Sequence, residues 1–175
     1  VDFVIGYLSS ANCLAIAPVA EKLEILTILL DCGTARIFEE NDFKYVFRTR
    51  SHSTMDVIAA AKYLLKNNPK IKNFSGINPN YAYGQESWRD WNAVMSILAP
   101  QAERRSSQMP KLGAGQYGSE ISSLARKKSD VIYLYKGRRG AHESGDGRVP
   151  ATLSTSGVRV SRCRAARRLV RGARA

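Results

Sequence analysis

The sequence predicts an α/β protein built from βαβ units on largely parallel sheets, and three observations carry that prediction. Apolar runs of five to seven residues recur between Asp2 and Tyr135. Longer amphipathic stretches separate most of them, the pattern of strands alternating with crossover helices. Polar residues gather just past the carboxyl ends of three runs, where open α/β sheets bind their ligands.

Asp2–Leu8 (DFVIGYL) reads as a buried strand closed by a polar turn. Ser9-Ser10-Ala11-Asn12 leads into a helix from about Cys13 to Leu23. Ser or Asn there suits an N-cap, and helix-start amides suit a carboxylate or other anionic group equally. Glu24–Leu30 (EILTILL) is a second buried strand, ending at Asp31-Cys32-Gly33-Thr34. Thr34 can bond a ligand, and Gly33 lets the backbone come close; a plain turn is the simpler alternative. Lys44–Arg48 is a third short strand, and Met55–Lys66 a helix stopped by Asn67-Asn68-Pro69. His52 precedes that helix with no second His or Cys near it, so it reads as a surface or hinge residue and no metal site is expected.

Asn73–Ile77 (NFSGI) is the fourth strand, followed by the loop Asn78-Pro79-Asn80-Tyr81-Ala82-Tyr83-Gly84 and a helix to about Leu98. Tyr81 and Tyr83 each offer an apolar ring and a hydroxyl, suited either to covering a small molecule or to packing on the loop. Trp88, Trp91, Val94, Met95 and Leu98 form a core-facing stripe. Arg104–Met109 reads as a short strand, Glu120–Lys128 as a helix and Asp130–Tyr135 (DVIYLY) as a buried strand. Gly113–Gly118 matches the G-x-G-x-x-G dinucleotide pattern literally. Pro110 interrupts its approach, and Asp130 starts the next strand where an acidic residue should end it, so no nucleotide cofactor is expected.

At 175 residues, 44% of them hydrophobic, the chain can bury a real core. No apolar run approaches the roughly 18 residues of a membrane span. Val1 opens straight into a strand-like run without a signal peptide, so the chain looks truncated at its front. Cys13, Cys32 and Cys163 form neither a disulfide framework nor a zinc spacing.

The formal charge of +12 is uneven. Residues 1–135 hold 16 Lys+Arg and 13 Asp+Glu, whereas residues 136–175 hold 11 basic and 2 acidic side chains. Residues 137–175 carry ten Arg, no Lys and no aromatic ring, so this tail cannot bury enough surface to fold alone. It reads as non-native sequence after a frame change in GC-rich DNA, or as an Arg-rich arm binding nucleic acid through phosphates.

With the loops in place, residues 1 to about 135 resemble the type I periplasmic binding proteins, more narrowly the branched-chain amino acid or amide substrate-binding (leucine-binding) proteins of ABC transporters. The matching pieces are VIGYLSSANCLAIAPVAEK (4–22), ILTILLDCGTARIF (25–38), KYVFRTRS (44–51), NPNYAYGQESW (78–88) and DVIYLY (130–135). The resemblance implies two α/β lobes that close on a small ligand. It maps residues 1–50 onto part of lobe one, 51–135 onto the first half of lobe two, and the crossover near Arg48–Ser53. Residues 136–175 fall outside it, and the fold is expected to be incomplete. The ligand-binding residues implied are Ser10, with Ser9 and Asn12 beside it, Gly33 and Thr34, and Tyr83 from the opposing lobe.

The resemblance further implies a non-enzymatic protein without cofactor, a periplasmic or extracytoplasmic location, and ABC transporter permease subunits as partners. The acidic or aromatic partner of a ligand ammonium would come from segments beyond this chain. Nucleic-acid binding through the tail is the alternative function. An enzyme is the third reading, but no nucleophile–base pair supports it: His142 lies in the tail, and Cys13 and Cys32 have no evident base.

Overall fold

The computed structural model describes residues 1–114, 116–135 and 158–162, with Tyr135 and the last five by backbone alone. Seven strands and five helices follow in order among them. They are β1 (Phe3–Gly6), α1 (Ser10–Lys22), β2 (Leu26–Leu29), α2 (Arg36–Glu39), β3 (Val46–Arg48) and α3 (Ser53–Asn67), then β4 (Asn73–Ile77), α4 (Ala82–Leu98), β5 (Glu103–Gln108), α5 (Gly118–Lys127), β6 (Val131–Tyr135) and β7 (Val158–Arg162). Two sheets result, β1-β2-β3 and β5-β4-β6-β7. Every pairing is parallel except that of β6 with β7. The α/β class and the parallel sheets agree with the sequence reading.

In the first sheet, Cys13, Ala17 and Ala20 share one face of α1 and pack with Leu29 of β2 and Val46 of β3. That spacing of four and three residues is one stripe of a helix. In the second, Val57, Ala61 and Leu64 of α3 and Trp88, Trp91 and Met95 of α4 cover Phe74, Val131 and Tyr133. Trp91 stacks on Tyr133 with ring centroids 4.4 Å apart. A Cβ on Gly76 would sit 2.2 Å from the Trp88 ring, so only glycine lets α4 lie this close to β4.

Several expectations need correction. β1 is not buried: Phe3 and Ile5 are more than half exposed (54% and 53%), because β1 is an edge strand whose outer apolar face nothing among the described residues covers. Leu98, read as part of the core stripe, is exposed near the helix end. α1 begins three residues earlier than expected, at Ser10, because Ser9 is the last extended residue. The four-residue α2 was not anticipated.

The cysteines also differ from the reading. Cys13 and Cys32 form a disulfide, with Cα atoms 6.3 Å apart, because α1 lies over the carboxyl end of β2. Within the tail, residues 158–162 form β7, antiparallel to β6. The tail's other residues, including Cys163 and His142, lie outside the described residues, as does Gly115 of the glycine motif. No described helix is long and apolar enough to cross a membrane.

Candidate ligand cleft

Parallel pairing of β1 with β2 sets the loops after both strands side by side. Tyr7 turns the chain from β1 toward α1 at a φ of 65°, a region bulky residues rarely adopt. Its carbonyl accepts from the Asp31 amide at 3.3 Å, joining the two loops. Ser9 is the N-cap of α1, yet its hydroxyl makes no capping bond. Ser10, 2% exposed, occupies the first turn, and Asn12 is exposed one position before Cys13.

Gly33 and Thr34 follow β2 and are buried. Arg48, at the end of β3, donates from Nη1 to the Thr34 carbonyl at 2.5 Å and to the Cys32 carbonyl at 3.3 Å. Burial lowers its guanidinium pKa, and the cation lies over the Phe38 ring. Arg50 joins Asp31 to Asp56 at the start of α3, and the Ser53 amide donates to the Gly33 carbonyl at 2.7 Å. The chain passing from the first sheet to the second is therefore fastened to the same loop that carries Gly33 and Thr34.

The start of α4 meets this loop from the second sheet. Tyr83, 3% exposed, lies against Gly33: a Cβ there would be 2.1 Å from Tyr83 Cε2. One turn on, Thr34 Oγ1 donates to Glu86 Oε2 at 2.6 Å. Tyr81 stacks on Tyr83, so the two rings form one aromatic wall. A cleft of about 410 Å³ is lined by Arg36 of α2 and by Ala82, Gln85, Glu86 and Arg89 of α4.

Glu86 is 5% exposed. Burial pushes its carboxyl above the ordinary carboxylate range, against the opposing pull of the Thr34 bond, of Arg36 and Arg89, and of a backbone hydrogen bond from Ala35. His52, the N-cap of α3, and Trp91 each bury a ring nitrogen with no partner among the described residues. No His, Cys, Asp and Glu grouping among the described residues is suited to a metal ion.

Of the residues expected to bind ligand, the fold thus brings Gly33 and Thr34 to the start of α4, with Tyr83 on Gly33. Ser9, Ser10 and Asn12 stand at the neighbouring strand end, after β1. Glu86 and Arg48 escaped the sequence reading. Glu86 stands three residues after Tyr83, on the same helical face, and that spacing was the available signal.

A family model described as periplasmic binding protein matches residues 1–141. No curated protein matches the chain at a significant level. Among solved structures, a solute-binding protein of an ABC transporter from Rhodopseudomonas palustris, in complex with benzoate, superposes with a TM-score of 0.72 at 20% identity, over 78% of this chain and 37% of its own. An amino acid ABC transporter substrate-binding protein from Pseudomonas fluorescens Pf-5 gives 0.67 at 18% identity, over 75% and 34%. An ABC-type branched-chain amino acid transporter from R. palustris CGA009 gives 0.51 at 24% identity, over 72% and 33%. The chain therefore spans little more than a third of the length of the structures it matches.

Proposed function

The chain belongs to the periplasmic binding protein family, and from that premise we propose that it is the solute-binding component of an ABC-type uptake system. It holds a small polar ligand, such as a branched-chain amino acid or amide, between two lobes. Residues 1–50 are part of the first lobe and 51–135 the first half of the second, with the crossover near Arg48–Ser53. The observation that carries this reading is the meeting of two strand-end loops from separate sheets, Gly33-Thr34 after β2 and Tyr83-Glu86 after β4.

Ser10, Thr34 and the α1 amides, with Ser9 and Asn12 beside them, bind the carboxylate or amide end of the ligand. Tyr83 covers it when the lobes close by a hinge motion. The Ser9 hydroxyl, unused in capping, is free for such a role. The chemistry is recognition and release, without a catalytic step. Permease subunits are the partners of the assembled transporter. An extracytoplasmic location is supported by the family and by the Cys13–Cys32 disulfide, which oxidising compartments favour.

A thermal-shift panel tests the proposal, with branched-chain amino acids, their amides, benzoate and 4-hydroxybenzoate as probes. A bound probe at 100 times its Kd contributes about 2.7 kcal/mol, or a rise of roughly 5–10 °C for a chain of this size. Absence of any saturable rise across the panel contradicts the proposal.

A further inference from the structure

We propose that the amino-terminal end of the second sheet is a membrane-contacting surface, whose basic side chains bind the headgroups of anionic phospholipids. Strands β4, β5 and β6 run parallel, so their starts share one end of the sheet. The candidate ligand loop after β4 lies at the other end, and a bilayer bound at the starts leaves the cleft open to solute. This goes beyond the solute-binding reading above and shares with it only the extracytoplasmic location.

Five exposed cations gather at this end: Arg104 and Arg105 of β5, and Arg126, Lys127 and Lys128 where α5 finishes. Among the described residues none of the five pairs with a carboxylate, whereas Arg36, Arg50 and Arg89 all do. Arg105 instead donates from Nη1 to the Lys127 carbonyl at 3.0 Å, which joins the two halves of the patch. Lys70 and Lys72, exposed just before β4, extend it. Glu103 and Asp130 are the acidic side chains beside these cations. Asp130 Oδ2 is occupied by the backbone amides of Lys72 and Asn73, at 3.0 and 3.3 Å.

Local structure presents these cations at a cost. In the pairing of β4 with β5, Phe74 faces Arg104 and Ser75 faces Ser106. Arg105 is therefore the extra residue of a bulge, a device that re-aims a side chain. Lys128 holds a left-handed conformation at a φ of 48°, at a helix end where glycine is usual. Basic residues in the last turn of α5 complement the helix dipole. That accounts for Arg126 and Lys127, but not for Arg104, Lys70 or Lys72.

An anionic bilayer suits this surface better than nucleic acid does. α4 finishes at the same end, with residues 99–102 joining it to β5. In its last turn Ile97 is 77% exposed and Leu98 41%. Apolar side chains beside cations fit the boundary between headgroups and acyl chains, whereas a nucleic-acid backbone is held by basic and polar groups. The Cys13–Cys32 disulfide favours an oxidising compartment outside the cytoplasm. None of the five cations is buried in a pocket, so they suit a surface of many phosphates rather than one small anion.

The test is co-sedimentation of the full chain with vesicles of phosphatidylcholine alone and of equimolar phosphatidylcholine and phosphatidylglycerol. Partition should favour the anionic vesicles and fall as salt is raised. Each Lys or Arg near such a surface contributes about 5-fold, so Arg104→Gln, Arg126→Gln and Lys127→Gln together should weaken partition by about 100-fold. A control of equal net charge, Lys22→Gln with Lys44→Gln and Lys62→Gln, should lose less than about 5-fold. Residues 136–175 are unchanged in every variant, so their charge cannot produce the difference. Ile97→Ser should weaken vesicle partition by about 5-fold and leave binding to duplex DNA unchanged. Equal partition to both kinds of vesicle overturns the inference, as does an equal loss in the two triple variants. Duplex DNA bound more tightly than anionic vesicles, with Ile97→Ser neutral toward both, makes the partner a nucleic acid and overturns it too. No solute enters the measurement, so these outcomes leave the solute-binding reading standing. A thermal-shift panel without a hit, conversely, leaves this surface standing.

Discussion

The β5-β4-β6-β7 sheet is held to its helices by rings, whereas the β1-β2-β3 sheet is held to α1 by small side chains and a disulfide. In the first case Phe74, Trp88, Trp91 and Tyr133 interlock between β4, β6 and α4. In the second, Cys13, Ala17 and Ala20 bring α1 close to Leu29 and Val46, and the Cys13–Cys32 bond closes a segment with a sequence separation of 19. The apolar area differs accordingly. On the first sheet Phe3, Ile5 and Phe47 lie on one face, by register with Leu26 and Ile28, and each is more than half exposed (54%, 53% and 52%). A core of small residues stabilises weakly per residue, and a covalent link compensates by restricting the unfolded chain.

The comparison is broken most severely at Trp91, which is fully buried. Trp91→Ala should cost about 3–5 kcal/mol, as large-to-small core changes do. Amide hydrogen exchange should show the loss spread over β4, β6, α3 and α4, with β1 and β2 spared. A loss spread evenly over both sheets would mean that they do not have separate cores.

Removal of the disulfide should have the next largest effect and the opposite distribution. Cys13→Ser with Cys32→Ser should lower stability by about 2–4 kcal/mol. Exchange should then quicken in α1, β2 and the Gly33-Thr34 loop. Unchanged melting on full reduction would show that the small-residue core suffices without the bond.

How much of this was legible in the sequence differs between the same two regions. β4 was read to the residue, because a fully buried run ending in Asn-Pro-Asn has only one reasonable boundary. The stripe of Trp88, Trp91 and Met95 likewise declared the inner face of α4 through its period. The first sheet was harder. The exposure of Phe3 and Ile5 depends on what covers a sheet face, which an apolar run does not reveal. The Cys13–Cys32 pairing depends on how α1 lies over β2, and spacing alone is silent on that. α2 has four residues, too few to show any period.

The candidate site was legible in outline. Gly33, Thr34 and Tyr83 were flagged because polar residues just past strand ends mark ligand loops. Glu86 was not, because an acidic residue on a helix ordinarily faces water. Its burial comes from the approach of the β2 loop, where Thr34 meets it. Arg48 went unread for a related reason: its partners are backbone carbonyls of Cys32 and Thr34, which leave no trace in the sequence.

The smallest of these effects in energy is the one that bears on the central claim, that two loops from two sheets form one solute site. Titrating the ligand found by the panel into the wild type, Thr34→Val, Tyr83→Ala and the double variant measures it directly. Each single change should weaken binding by about 1–3 kcal/mol, the scale of a lost buried hydrogen bond. The double variant should depart from additivity by at least about 0.5 kcal/mol, as residues sharing one site do. Wild-type affinity in both single variants would contradict the account, because the ligand would then bind elsewhere than between Thr34 and Tyr83.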